Sequence, residues 1–151
     1  VETGLIRAEG KIIALIDADL GFSVTEIQKM VIPVINNKAD MTIAVLPIKG
    51  GGLGLVRKLA DKGINLSTGK SLLAPLSGQR VFHNKILNDI LPLSDGFGLE
   101  IGMDIDVLNK DYRILEIPCN MTHNVTGNNL KGYWHRGRQF VSLLKTFWQK
   151  R

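Results

Sequence analysis

The sequence is poor in cysteine and has no apolar segment long enough to cross a bilayer. Cys119 is the single cysteine among 151 residues, so no disulfide can form within the chain. A lone free cysteine is typical of proteins from a reducing compartment. A membrane-spanning helix needs about 20 consecutive apolar residues, and the sequence has no such run. From these absences we expect a cytoplasmic protein. We find neither an internal repeat nor a linker that would divide the chain.

Acidic residues are absent from the last part of the chain, 130–151, which is rich in lysine, arginine and aromatic residues. The whole chain carries a formal net charge of +5. This mild excess permits phosphate-bearing ligands, nucleic acid or an anionic membrane surface without selecting among them. Apolar residues recur at helical spacing from Lys131 onwards, which predicts an amphipathic helix that packs on the core or forms an oligomer contact. Trp134 and Trp148 leave interfacial membrane binding open.

The composition is that of a globular domain in which strands and helices alternate. Hydrophobic residues make up 44% and charged residues 22%, which allows a core of ordinary size. Continuous apolar runs at Lys11–Asp17, Met41–Leu46 and Arg113–Pro118 predict strands covered on both faces. Ser23 and Glu26 show the pattern of a capping box before an amphipathic helix. Because strand, helix and strand form a βαβ unit, we expect an α/β fold with a mostly parallel sheet.

Two carboxylates, Asp17 and Asp19, end the first apolar run. Residues i and i+2 of a strand project to the same side, so both carboxylates could face one point. In open α/β sheets, ligands bind at the carboxyl ends of the strands. Paired carboxylates suit Mg²⁺ or Mn²⁺, which take oxygen ligands. A solvated turn before a helix fits the same spacing, so the residues alone leave both interpretations open.

Two other patterns indicate chemistry less strongly. Asp104 and Asp106 fall in a predicted helix, where residues i and i+2 point to different sides and cannot chelate together. We expect both to face solvent or the edge of the sheet. Ser67–Ser71, STGKS, resembles the end of a phosphate-binding loop. However, Gly63 is one residue too far from Gly69, and the preceding segment looks helical, so the sequence argues against that motif.

Four segments, taken in order, resemble a glycosyltransferase of the GT-A fold and family 2 type. They are LIDADL, PLSGQRVF, GFGLEIGMDIDVL and YRILEIPCNMTHNVTG. The similarity is to bacterial enzymes related to polyprenyl-phosphate glycosyltransferases and glucosyl-3-phosphoglycerate synthases, and it extends from Gly4 to Phe140. It implies a Rossmann-like α/β/α fold in three layers. It also implies a metal-dependent enzyme that transfers a sugar from a nucleotide-sugar donor to an acceptor hydroxyl or phosphate.

The resemblance implies a role for each residue that matches its motifs. Asp17 and Asp19 match the ligands of a Mg²⁺ or Mn²⁺ ion, and His123 matches the late residue that completes the metal site. Glu100 and Arg80 are implied as catalytic residues, with Glu100 contacting the sugar or the acceptor hydroxyl. The residues implied to bind the donor or the acceptor are Ser77, Gly78, Gln79, Arg136 and Arg138.

Enzymes of this type begin with βα units that bind the nucleotide, and these have no counterpart in the sequence. We therefore expect residues 1–151 to be one partial catalytic domain of a longer enzyme, which by itself binds nucleotide-sugar poorly or not at all. We also expect the open edge of the first strand to invite dimerisation. The implied partners are a nucleotide-sugar and a phosphorylated or lipid-phosphate acceptor at the inner face of the membrane, without nucleic acid. A nucleotidyltransferase and a non-catalytic binding or assembly module are the alternatives.

Overall fold

Helices and strands alternate along the part of the chain that the computed structural model describes, residues 1–47, 53–94 and 98–122. The helices are α1 (Glu2–Ile6), α2 (Ile27–Ile35), α3 (Leu53–Thr68), α4 (Leu87–Ile90) and α5 (Gly98–Asn109). The strands are β1 (Ile12–Leu15), β2 (Met41–Val45), β3 (Arg80–His83) and β4 (Ile114–Pro118). Two 3₁₀ segments, Gly21–Glu26 and Asn84–Ile86, lead into α2 and α4.

The strands form one sheet in the order β1-β3-β2-β4. β2 and β4 pair in parallel, whereas β3 is antiparallel to both β1 and β2. The helices and strands confirm the predicted α/β fold. Three of the four strands run in one direction, but two of the three pairings are antiparallel because β3 is inserted, so the sheet is mixed and not mostly parallel in its pairings. The strands of the expected βαβ unit, β1 and β2, are parallel, but β3 lies between them and hydrogen-bonds to both. That central position buries Val81 and Phe82 on opposite faces of the sheet.

Alternating side chains of the central strands build a core on each face of the sheet. Ile43 and Phe82 belong to one hydrophobic cluster, whereas Ala44 and Val81 belong to another. The first cluster continues into α3, α4 and α5 through Ala60, Ile64, Ile90, Ile101 and Ile105. The second continues into α2 through Met30 and Val34. Helices on both faces of the sheet confirm the predicted three-layer arrangement.

Helix α3 runs through the segment that resembles a phosphate-binding loop. It continues past Gly63 because the next residue, Ile64, is completely buried in the core. The helix ends at Thr68, whose hydroxyl donates to the Ile64 carbonyl at 2.8 Å, and Gly69 follows with φ +71°. A phosphate-binding loop needs a strand before it and a helix after it. STGKS instead lies at the carboxyl end of a helix, so it is not such a loop.

The predicted capping box at Ser23 and Glu26 is wrong. Both residues lie in the 3₁₀ segment before α2. Glu26 occupies the N-cap position of that helix, but neither side chain makes a capping hydrogen bond to it. The Ser23 hydroxyl accepts from the Thr122 backbone N–H at 3.1 Å, and the Glu26 carboxylate accepts from the Asn120 N–H at 2.9 Å. Their partners are 94 to 99 residues away along the chain, so a local pattern could not reveal them. The two side chains hold the segment after β4 against the turn after β1.

The amphipathic helix predicted from Lys131 onwards lies outside the described residues. Within those residues, no helix combines the length and apolarity that crossing a membrane requires. β1 forms one edge of the described sheet.

Candidate functional site

Asp17 and Asp19 lie just beyond the end of β1, and both are exposed. The strand ends at Leu15, and Asp19 lies in a turn. Strand geometry therefore does not determine how the two carboxylates are oriented, and the expectation that they face one point stays a prediction. Both residues nevertheless lie at the carboxyl end of a strand, where α/β sheets bind their ligands.

The antiparallel register of β1 and β3 brings the segment Ser77–Arg80 beside Asp17. Leu15 pairs with Arg80, so the residues that follow Leu15 run alongside those that precede Arg80. The Gln79 side-chain amide donates to the Asp17 carboxylate at 2.5 Å, and its carbonyl accepts from the Asp17 backbone N–H at 2.9 Å. These two hydrogen bonds fix the orientation of Asp17. Two motifs that the sequence separates by about sixty residues thus meet at one place.

Gly78 provides the space that the Asp17 carboxylate occupies. A Cβ atom built on Gly78 would lie 3.3 Å from each carboxylate oxygen of Asp17. That separation is shorter than ordinary van der Waals contact, so a side chain at position 78 would push the carboxylate away. Glycine at this position therefore lets the backbone approach the acid without displacing the carboxylate by a few tenths of an ångström.

Glu100 lies in the first turn of α5 and is half-buried. Burial raises the pKa of its carboxyl above the usual range, and the negative charge of Asp17 raises it further, whereas the Arg80 charge acts in the opposite direction. A carboxyl with a raised pKa is better suited to accept a proton near neutral pH.

Arg80 and Asp104 form an ion pair in the interior, and both side chains are 0% exposed. Arg80 Nη1 donates to Asp104 Oδ1, and Nη2 donates to Oδ2 at 3.2 Å. Burial raises the pKa of Asp104 to about 6 against the lowering effect of the Arg80 charge. The expectation that Asp104 faces solvent or the sheet edge is wrong, because the buried guanidinium needs a counter-charge. A guanidinium enclosed in this way does not reach a substrate, so we treat Arg80 as a positioning residue.

The loop before β3 carries Ser77 and is held by Glu116 of β4. The Glu116 carboxylate accepts from the backbone N–H groups of Leu73 at 2.9 Å and Ala74 at 2.6 Å. The Ser77 hydroxyl is buried, and among the described residues it has no hydrogen-bond partner. Sequence reasoning did not assign a role to Glu116. Its position as the one charged residue within the apolar strand Ile114–Pro118 was the available signal.

The remaining predicted site residues, His123, Arg136 and Arg138, lie outside the described residues. His123 directly follows Thr122, whose backbone N–H is hydrogen-bonded to Ser23, four residues beyond Asp19. The segment after β4 therefore contacts the 3₁₀ segment that follows the acid pair.

The chemistry of the acid pair fits a hard divalent cation. Asp17 and Asp19 offer exposed carboxylate oxygens, which Mg²⁺ and Mn²⁺ prefer, and such ions keep waters and phosphate oxygens as further ligands. In residues 1–47, 53–94 and 98–122, no group of three histidine, cysteine or acidic side chains is arranged to hold a metal. A third protein ligand would have to come from outside those ranges.

Comparison with known proteins places the chain in a known fold. No protein-family model matches it. Glucosyl-3-phosphoglycerate synthase from Mycobacterium tuberculosis, in complex with Mg²⁺ and uridine diphosphate, has a TM-score of 0.75 at 23% identity, covering 96% of this chain and 52% of that chain. Its complex with Mn²⁺, UDP-glucose and phosphoglyceric acid has a TM-score of 0.73 at 24% identity, covering 95% and 52%. Its complex with Mn²⁺, UDP-glucose and glycerol 3-phosphate has a TM-score of 0.71 at 23% identity, with the same coverage.

These similarities show that the chain shares its fold with a GT-A glycosyltransferase, in agreement with the fold that the motifs imply. The chain spans about half the length of the solved structures it matches.

Proposed function

We propose that the protein is a glycosyltransferase that uses a divalent cation to transfer a sugar from a nucleotide-sugar to an acceptor. The observation that carries this proposal is the contact of Gly78 and Gln79 with Asp17 at the carboxyl end of β1. The negative charge of the same carboxylate contributes to the raised pKa of Glu100. The shared fold supports the same class of donor, because solved complexes of the mycobacterial enzyme contain UDP-glucose with Mn²⁺.

Asp17 and Asp19 are the proposed ligands of a Mg²⁺ or Mn²⁺ ion, with His123 as a third ligand. The hydrogen bond between Ser23 and Thr122 supports this assignment, since it holds the residue before His123 near the acid pair. When bound, the cation supplies Lewis-acid stabilisation of the charge that develops on the departing diphosphate.

Gln79 orients the Asp17 carboxylate for binding the cation. Its amide donates one hydrogen bond to Asp17 Oδ2, which leaves the other lone pairs of the carboxylate for the ligand. Its carbonyl fixes the Asp17 backbone at the same time. Preorganised groups of this kind avoid the cost of reorienting during the reaction.

Glu100 is proposed to contact the sugar or the acceptor hydroxyl. In an inverting reaction it would accept the proton of that hydroxyl as the nucleophilic oxygen attacks, and its raised pKa supports this role. In a retaining reaction it would orient the sugar. The anomeric configuration of the product, determined by NMR, distinguishes the two.

We propose a phosphorylated acceptor, in line with the phosphoglyceric acid and glycerol 3-phosphate in the mycobacterial complexes. Ser77, Arg136 and Arg138 are proposed on the acceptor side from the resemblance alone, the two arginines as phosphate contacts. Lipid-phosphate as the acceptor, contact with the inner face of the membrane and self-association remain proposals. Flotation with anionic vesicles tests the membrane contact, and sedimentation tests self-association.

The products of the reaction test this function on the full-length gene product. With UDP-glucose, Mn²⁺ and phosphoglyceric acid, we expect release of uridine diphosphate and a glucosylated acceptor. Release of pyrophosphate would instead indicate a nucleotidyltransferase. Asp17→Asn should lower turnover by about 100-fold or more, because a metal ligand supplies several kcal/mol of stabilisation. Asp111→Asn, an exposed carboxylate before the amino end of β4, is the matched control. Equal turnover in the folded wild-type and Asp17→Asn proteins would contradict the proposal and favour a binding module.

A further inference from the structure

The buried guanidinium of Arg80 is bound to a loop as well as to a helix. Its Nε donates to the Ser77 carbonyl at 3.0 Å, and Nη2 donates to the Pro75 carbonyl at 3.1 Å. With the two bonds to Asp104 of α5, four of its five N–H donors are used. Arg80 therefore joins the loop before β3 to helix α5 at a fixed distance and orientation.

Glu116 binds the same loop from the side of β4. Its carboxylate receives the N–H groups of Leu73 and Ala74, a few residues before the carbonyls that Arg80 binds. The loop is thus attached at its start to β4 and at its end, through Arg80, to α5. Gly78 and Gln79, the last residues of this loop before β3, contact Asp17.

Stability alone does not explain a charged pair in this position. Apolar residues of similar volume commonly stabilise an interior as well as a buried ion pair, because two charges must be removed from water. What apolar side chains cannot supply is directional bonding to two carbonyls and a carboxylate at once, which the planar guanidinium provides. The arrangement therefore indicates that the Arg80–Asp104 pair fixes the position of the loop before β3.

We propose that Asp104 and Arg80, assisted by Glu116, are positioning residues that hold Gln79 and Gly78 in place and thereby set the orientation of the Asp17 carboxylate. This inference rests on the proposed function, in which Asp17 binds the cation. Asp104 acts through Arg80, and Arg80 acts through the loop and its neighbour Gln79. Neither side chain contacts a substrate.

The double variant Arg80→Met/Asp104→Leu tests the proposal, since it removes both charges and leaves no unpaired one. The first readout needs no metal: hydrogen exchange of the Asp17 amide, which donates to Gln79. We expect this amide to exchange faster by about tenfold, the effect of losing one hydrogen bond. The second readout is Mn²⁺ affinity by electron paramagnetic resonance. We expect it to weaken by about 10- to 100-fold, as for other groups that orient a metal ligand.

Two further variants provide a control for loss of stability and a second test of the proposal. Asp40→Asn removes a buried carboxylate that pairs with Lys85 and Arg113, at the far end of β1 and β3 from Asp17. It should destabilise the protein while leaving the Asp17 amide and Mn²⁺ affinity unchanged. Glu116→Gln weakens the other attachment of the loop, and it should move both readouts in the same direction as the double variant. It serves as the test if the double variant fails to fold.

The outcomes separate this inference from the proposed function. If the folded double variant, or Glu116→Gln in its place, keeps wild-type exchange at Asp17 and wild-type Mn²⁺ affinity, the positioning role is wrong. If Asp40→Asn changes both readouts as much, the effect is only structural and the positioning role is also wrong. If Asp17→Asn binds Mn²⁺ as tightly as wild type, the proposed metal site fails. Faster Asp17 exchange in the double variant would then still support the link from Asp104 to Gln79.

Discussion

Replacing Asp104 by alanine should cause a large loss of stability. The side chain is 0% exposed and contributes two hydrogen bonds to an equally buried guanidinium. Its removal leaves the charge of Arg80 in the interior without a counter-charge. Breaking one side of a buried pair costs about 3–5 kcal/mol. Because domains are stabilised by only about 5–15 kcal/mol, such a loss would consume a large part of the total.

The physical reason can be separated from simple loss of packing. In Arg80→Met/Asp104→Leu no charge remains unpaired, although the carbonyls of Pro75 and Ser77 lose their donor. The Pro75 carbonyl is buried, and without a partner it would cost about 1–3 kcal/mol, whereas the Ser77 carbonyl is only partly buried and water can replace its donor. We therefore expect the double variant to be more stable than Asp104→Ala by about 2 kcal/mol.

Urea unfolding at pH 7, followed by circular dichroism, measures these differences from the midpoint and slope of each transition. Asp111→Asn, which neutralises a 93% exposed carboxylate paired with Lys70, is the control and should lose much less. The reasoning is refuted if Asp104→Ala costs less than about 1 kcal/mol, the range of an exposed ion pair. It is equally refuted if the double variant is less stable than the single one.

Two further predictions concern Asp40 and Gly78. Burial acts to raise the pKa of Asp40, but hydrogen bonds from Arg113 and Lys85 outweigh it and lower the pKa to about 2. A lowered pKa contributes stability above the unfolded value, near 4, which is lost as the pH falls towards 2. The difference in unfolding free energy between wild type and Asp40→Asn should therefore shrink by about 2 kcal/mol from pH 7 to pH 2, and a difference independent of pH would contradict the assignment. Gly78→Ala should weaken Mn²⁺ binding because its Cβ would crowd the Asp17 carboxylate. Gly54→Ala, at the second position of α3 with open space around it, should leave binding unchanged, so equal effects of the two alanines on binding would refute the crowding.

The local sequence pattern was sufficient to predict three of the four strands and part of the site. Continuous apolar runs identified β1, β2 and β4, because strands covered on both faces have few polar residues. The order of the sheet was not accessible in the same way. The insertion of β3 between β1 and β2 depends on pairings between distant segments, such as Leu15 with Arg80.

Asp104 shows why the rest of the site could not be predicted from periodicity alone. Asp104 and Asp106, two residues apart on a helix, point to different sides of it, but a charged residue on a helix faces solvent only if its side of the helix does. Most of α5 is buried, so its sides are not divided into a core face and a solvent face. The available signal was Arg80, a cation next to the apolar residues of β3, which needs a counter-charge inside the fold.

The most direct test of the proposed function is the product of an incubation of the full-length gene product with UDP-glucose, Mn²⁺ and phosphoglyceric acid. Separation of nucleotides by chromatography should show uridine diphosphate formed in step with a glucosylated acceptor. Both should be abolished by chelation of the metal and by Asp17→Asn in a protein that unfolds like wild type. Sugar transfer that survives the loss of the Asp17 carboxylate would contradict the assignment of this residue as a metal ligand, and so would release of pyrophosphate in place of uridine diphosphate.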